Sequence, residues 1–238
     1  MRIAECWHQG RRPPSRATGM SIAAAARLDN PQNRSIRFPR STDRNDMIDQ
    51  IRRSFSDSVA VKNAFVAQYA DQIADVAKKL VAAFKKGHKV LLFGNGGSAT
   101  DASHIAGEWV NRFNRDREGL PAMALACDPS IVTSIGNDYD FQEIFSRQVR
   151  AFGRKGDVAI AISTSGNSPN VLRAVEAAKP LGLLTVGFTG KDGGKLASMV
   201  DQAFIVPSDS TPRIQETHIT LGHVLCELVE DALFPPGR

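Results

Sequence analysis

His104 and Glu108 stand four residues apart in Asp101-Ala-Ser-His-Ile-Ala-Gly-Glu108, so a helix through them puts both on one face. An imidazole and a carboxylate so placed can hold one divalent cation. Alone, they make an ordinary surface pair worth about a few tenths of a kcal/mol. Two neighbouring stretches give them more weight. The apolar run Val90-Leu-Leu-Phe93 ends in Gly94-Asn-Gly-Gly-Ser98, and Val158-Ala-Ile-Ala-Ile162 ends in Ser163-Thr-Ser-Gly-Asn-Ser168. A strand that stops in such a turn, just before a helix, aims backbone N–H groups and hydroxyls at one point, which suits a phosphate. Four hydroxyls in the second turn exceed what capping a helix needs, since Ser168 would suffice. A phosphate monoester can use all of them. Neither turn holds Lys or Arg, so binding there would rest on dipoles and hydroxyls.

Further polar groups lie downstream. Arg213-Ile-Gln-Glu-Thr-His-Ile-Thr-Leu-Gly-His223 carries two of the five histidines. On a helix Gln215 and His223 are about 80° apart around the axis. Gln215 and His218 also share a side, so spacing leaves the partner of Gln215 open. Asn137 and Asp138 could bind sugar hydroxyls or form an Asx turn. The first turn also fits a variant of the dinucleotide fingerprint, Gly94-x-Gly-x-x-Ala99. Asp128 stands where that fingerprint wants an acid, about 30 residues on instead of about 20. A hydroxyl-rich second turn has no use in such a site.

The elements that must position these groups follow from periodicity. Residues 46–86 repeat apolar side chains at three- and four-residue steps, from Phe55 to Phe84, and predict one short helix followed by a long one that Gly87 ends. From residue 89 strands and helices alternate. Strands are expected at 89–93, 122–126, 157–162, 183–188 and 202–206. Helices are expected after Ser98, over 129–136, 140–152, 168–179 and 194–199, and from about 212 to 233. Ser168 would cap the helix that Pro169 opens. This alternation predicts an α/β fold, a doubly wound, flavodoxin-like, five-stranded parallel sheet with helices on both faces. Ligands then bind at the carboxyl ends of the strands. The domain expectation is an extension at 1–45, N-terminal helices at 46–86 and one α/β domain at 87–238.

The chain has 238 residues and a net charge of +5. Nine arginines and three acids fall within residues 1–45, so residues 46–238 carry −1. That near-neutral body has no electrostatic footprint for nucleic acid. Residues 1–45 also hold four of the twelve prolines and no lysine, and are expected to be disordered. Their arginine-rich composition can mimic a transit peptide; an over-extended start, with Met47 as initiator, is the expected reading. Cys6, Cys127 and Cys226 form no CxxC pair, as expected of a cytoplasmic protein without disulfides. No apolar run approaches the ~20 residues of a membrane span.

In collinear order over about residues 47–234, these motifs, with Ile135-Gly-Asn-Asp138, Phe145-Ser-Arg-Gln148 and Gly187-Phe-Thr-Gly190, resemble the bacterial phosphoheptose isomerases, enzymes built on the sugar isomerase (SIS) domain. The resemblance implies isomerisation of D-sedoheptulose 7-phosphate to D-glycero-D-manno-heptose 7-phosphate through an enediol(ate), at the start of nucleotide-activated heptose and lipopolysaccharide synthesis. It implies a homotetramer with active sites at subunit interfaces and one zinc ion per subunit, on His104, Glu108, Gln215 and His223. It assigns the phosphate to Ser163, Thr164, Ser165 and Ser168. Asn95, Gly96, Gly97, Asn137, Asp138 and Gln215 are its other substrate contacts. Glu108 would then serve as the base at C1 and C2 and His223 as its partner at the oxygens. A related non-catalytic family that associates with a replication initiator shares the fold and the second turn, and the segment Cys226-Glu-Leu-Val-Glu-Asp-Ala-Leu-Phe-Pro235 resembles it. That family lacks the metal set, which is intact here.

Overall fold

The computed structural model describes residues 43–235; the expected extension over residues 1–45 falls almost wholly outside them. Helix α1 (Arg44–Lys85) leads into strand β1 (Val90–Gly94), α2 (Gly97–Val110) and β2 (Ala122–Ala124). Then come α3 (Pro129–Asp138), a 3-10 turn (Phe141–Glu143), α4 (Ser146–Phe152), β3 (Val158–Ser163) and α5 (Pro169–Ala178). The chain ends through β4 (Leu184–Gly190), α6 (Gly194–Met199), β5 (Gln202–Val206) and α7 (Thr211–Leu233). The five strands form one sheet in the order β2-β1-β3-β4-β5, and every pairing is parallel. This is the expected doubly wound architecture.

The strands read as continuous apolar runs because both faces of the sheet are covered. Val90 and Leu92 of β1, and Val158, Ile160 and Ile162 of β3, pack under α1, α2 and α7. Leu91, Phe93, Ala159 and Ala161 face the opposite layer, with Phe145 just before α4, Val149 of α4, and Val171 and Val175 of α5.

The N-terminal region departs from expectation. It is one unbroken helix of 42 residues, not a short helix and a long one. No glycine or proline interrupts it. Its buried residues all lie in the second half, Phe65, Tyr69, Ile73, Val76, Leu80 and Phe84 among them, with Val61 partly buried at their edge. In the first half Met47, Ile51, Phe55 and Val59 recur every four residues and stay exposed, Phe55 at 73%. The apolar stripe slips from steps of four to a step of six between Val59 and Phe65, yet the backbone runs through the slip unbroken.

His218 is buried against Phe188, at a ring distance of 5.9 Å, and its Nε2 donates to the Thr189 carbonyl at 3.0 Å. Burial pulls its pKa down from 6.5 to about 4, against the smaller opposing effect of that hydrogen bond. With the folded pKa depressed, the unfolded chain binds the extra proton between those values. Stability from the neutral ring is therefore complete above about pH 6.5 and is lost as pH falls toward 4. The loss amounts to about 3 kcal/mol. Urea unfolding of the parent and of His218→Gln at pH 7 and pH 4.5 should show a markedly smaller pH effect in the variant. Equal pH effects would contradict the assignment.

Candidate active site

The chain leaves β1 toward β2 on one side of the sheet and returns to β3 on the other, so β1 and β3 flank the topological switch point. In such sheets the crevice between the carboxyl ends of those two strands is the place for a ligand. Gly94 is in register with Ile162, and both polar turns emerge there side by side. Reciprocal hydrogen bonds join them: Asn95 Nδ2 donates to Asn170 Oδ1 at 2.8 Å, and Asn170 Nδ2 to Asn95 Oδ1 at 2.9 Å. Each carboxamide keeps one N–H and one acceptor lone pair for another partner. Asn170, which is 2% exposed, went unnoticed in the sequence.

The second turn is ordered from several directions. Ser163 and Ser168 face each other, Oγ to Oγ, at 3.0 Å. Ser168 stands at the N-cap of α5, yet its hydroxyl does not cap that helix. The capping expectation for Ser168 is thereby corrected, because the hydroxyl is turned back to the strand end. The Ser165 Oγ accepts from the Asn167 N–H at 3.2 Å, and Asn167 Oδ1 accepts from the Lys195 N–H of α6 at 3.1 Å. Gly166, at φ +64°, lies so close to Gly193 that a Cβ would collide with its carbonyl. Thr164 is half-buried beside these groups.

Helices α2 and α7 run side by side in the same direction. A Cβ on Gly97 would strike the Gln215 carboxamide, and a Cβ on Gly222 would strike Ile105. Phe113 and Asn114, just past α2, donate to Glu230 of α7. The glycines permit the close approach, and the approach brings the polar side chains together. His104 Nε2 lies 3.1 Å from Glu108 Oε1 and 3.4 Å from His223 Nε2. One ligand atom from each of the three lies within 4.8 Å of the others, which suits a single metal ion. Two imidazole nitrogens and a carboxylate oxygen form the borderline donor set that zinc takes, with room for a further ligand. The His104 and Glu108 side chains are 51% and 25% exposed, so the cluster opens to solvent.

The remaining expected residues fall into three groups. Gln215 lies more than two turns up α7 from His223, with its carboxamide against Gly97 and no hydrogen bond to the other three. Gly96 sits at the N-cap of α2 with φ 53°, a conformation glycine tolerates. Asn137 and Asp138 end α3, are exposed, and bond to each other at 2.9 Å, away from the other site residues in the hydrogen-bond network. Asp101 was missed. Burial raises its carboxyl to about 6, with His104 lowering it in part, and its Oδ2 is buried without a partner. The spacing 101, 104 and 108 was its visible signal.

The SIS domain family model matches residues 55–190. The phosphoheptose isomerase of Thermodesulfovibrio yellowstonii is 58% identical over 186 residues, covering 78% of this chain and 92% of that protein. The chain belongs to the phosphoheptose isomerase family. The Aquifex aeolicus phosphoheptose isomerase is also 58% identical, over 185 residues covering 78% of this chain and 97% of its own. Among solved structures, the phosphoheptose isomerase of Neisseria gonorrhoeae superposes with a TM-score of 0.74 at 40% identity, over 78% of this chain and 99% of that one. The Francisella tularensis phosphoheptose isomerase gives 0.75 at 38%, over 78% and 98%.

A phosphoheptose isomerase has no need of a dinucleotide acid, and Asp128 has another task. Its carboxylate accepts from the Ser130 and Ile131 N–H groups at 2.8 and 3.1 Å and caps α3. Those bonds, the Ile131 one foremost, hold its pKa below the usual range. No helix among the described residues is long and apolar enough to cross a membrane.

Proposed function

We infer that this chain interconverts D-sedoheptulose 7-phosphate and D-glycero-D-manno-heptose 7-phosphate. The reaction moves a proton between C1 and C2 through an enediol(ate). It stands at the start of nucleotide-activated heptose synthesis in the cytoplasm. The observation that carries the reading is the meeting of His104, Glu108 and His223 on two parallel helices, in a chain 58% identical to phosphoheptose isomerases.

Ser163, Thr164, Ser165 and Ser168 anchor the phosphate, so binding energy from the remote end aligns the reacting carbons. Asn95, Gly96 and Gly97 contact the sugar, with Asn137 and Asp138 at its hydroxyls. His104, Glu108, Gln215 and His223 would hold one zinc ion; bound there, it supplies Lewis-acid polarisation of the C1 and C2 oxygens. Glu108 takes the proton from one carbon and returns it to the other. His223 gives and takes the proton at the oxygens.

The enzyme is a homotetramer in this reading. The exposed stripe Met47, Ile51, Phe55 and Val59 supports it, since four apolar side chains on one helix face call for a covering partner. Phe55→Glu should reduce the mass seen in sedimentation to that of a smaller species. An unchanged mass would remove α1 from the interface.

A coupled assay for heptose 7-phosphate formation tests the function. Turnover of sedoheptulose 7-phosphate is expected. No turnover with zinc present would point to the non-catalytic, initiator-binding alternative, which no finding so far favours.

A further inference from the structure

Beyond the cluster, a buried ion pair ties the segment that follows α2 to α7. Arg117 and Glu230 have side chains each 1% exposed, and Arg117 Nε donates to Glu230 Oε1 at 2.9 Å. The rest of the guanidinium grips the end of α2. Its Nη2 donates to the Glu108 carbonyl at 2.9 Å, and Nη1 to the Trp109 carbonyl at 2.8 Å and the Glu118 carbonyl at 3.0 Å. Glu230 is equally occupied. It accepts from the N–H groups of Phe113 at 3.1 Å, Asn114 at 2.8 Å and Arg115 at 3.1 Å. Burial pushes the Glu230 carboxyl up, but these donors and the guanidinium together hold it below the usual range.

Arg117 therefore satisfies carbonyls that the end of α2 leaves without helical partners, one of them on the residue whose carboxylate belongs to the cluster. Glu230 lies two turns beyond His223 on α7. A buried pair of this kind is a poor source of net stability, because desolvation offsets its attraction and an apolar pair often does as well. Its distinctive effect is to fix one arrangement of two elements. We propose that the Arg117–Glu230 pair is a positioning clamp that sets α2 against α7 and so holds His104 and Glu108 opposite His223. This rests on the reading of that cluster as a zinc and proton-transfer site.

The test uses the full chain in three forms beside the parent: Arg117→Lys, Glu230→Gln, and the apolar double Arg117→Met with Glu230→Leu. Folding is followed by circular dichroism, zinc affinity by competition with a chromophoric chelator, and kcat and KM by the coupled assay. Arg117→Lys keeps the charge but cannot reach both helices, and should bind zinc about ten-fold more weakly. Its kcat should fall while KM changes less than about three-fold, since the phosphate turn sits on β3 and α5. The apolar double strands the Phe113, Asn114 and Arg115 N–H groups and should melt well below the parent. Arg117→Lys should melt nearer the parent yet show the weakened zinc affinity, a result that a purely structural role would not give. Glu230→Gln, which keeps an acceptor for those N–H groups, carries the test if Arg117→Lys does not fold. Variants that bind zinc and turn over like the parent would overturn the clamp alone. A parent that binds no zinc would overturn the metal reading and the clamp with it.

Discussion

Glu108→Gln is expected to lower kcat by about 1,000-fold or more, within the range that a positioned acid–base group supplies. Gln keeps the size of the side chain and removes its charge and its basicity. In the folded chain Glu108 lies one turn from His104 and 3.1 Å from its Nε2, and remains 25% exposed, so a sugar carbon can reach it. KM for sedoheptulose 7-phosphate should stay within a few-fold, because the phosphate turn belongs to a different strand and helix. Kinetics alongside zinc content separates loss of the base from loss of the ion. Near-normal kcat in a folded variant would remove Glu108 from the proton transfer.

Ser163→Ala combined with Ser168→Ala is expected to cut kcat/KM for the 7-phosphate by about 100-fold or more. The two hydroxyls face each other at 3.0 Å at the end of β3, and Ser168 is not spent on capping α5. Hydrogen bonds to a charged group are worth about 1.5–3 kcal/mol each, and two lost together need not add. Because remote binding energy aligns the reacting carbons, kcat should fall along with the rise in KM. The same double variant should act on unphosphorylated sedoheptulose as the parent does. An equal loss on both sugars would mean that the turn shapes the site without holding phosphate.

The sheet and its two turns were legible because each rests on a local pattern. An apolar strand buried on both faces is a continuous run, and a turn at its end is small and polar. The i, i+4 spacing of His104 and Glu108 was equally local. What escaped depends on distant partners. The Arg117–Glu230 bond spans 113 residues, and the Asn95–Asn170 pair spans 75; nothing near either residue announces its partner. His223 could not be chosen over His218 from spacing. The fold separates them, since His218 is buried on the Thr189 carbonyl while His223 faces His104. That α1 is a single helix was not legible, because the step of six from Val59 to Phe65 interrupts its apolar stripe while the backbone runs on.

In the proposed function, isomerisation depends on a zinc ion that His104, Glu108, Gln215 and His223 would hold. The most direct test of this dependence strips the protein with a chelator, returns zinc in steps, and follows turnover of sedoheptulose 7-phosphate and bound zinc on the same sample. Turnover should be absent at the start, rise in proportion to bound zinc, and level off at one ion per chain. Full turnover in the stripped protein, or none after zinc has bound, would contradict the account.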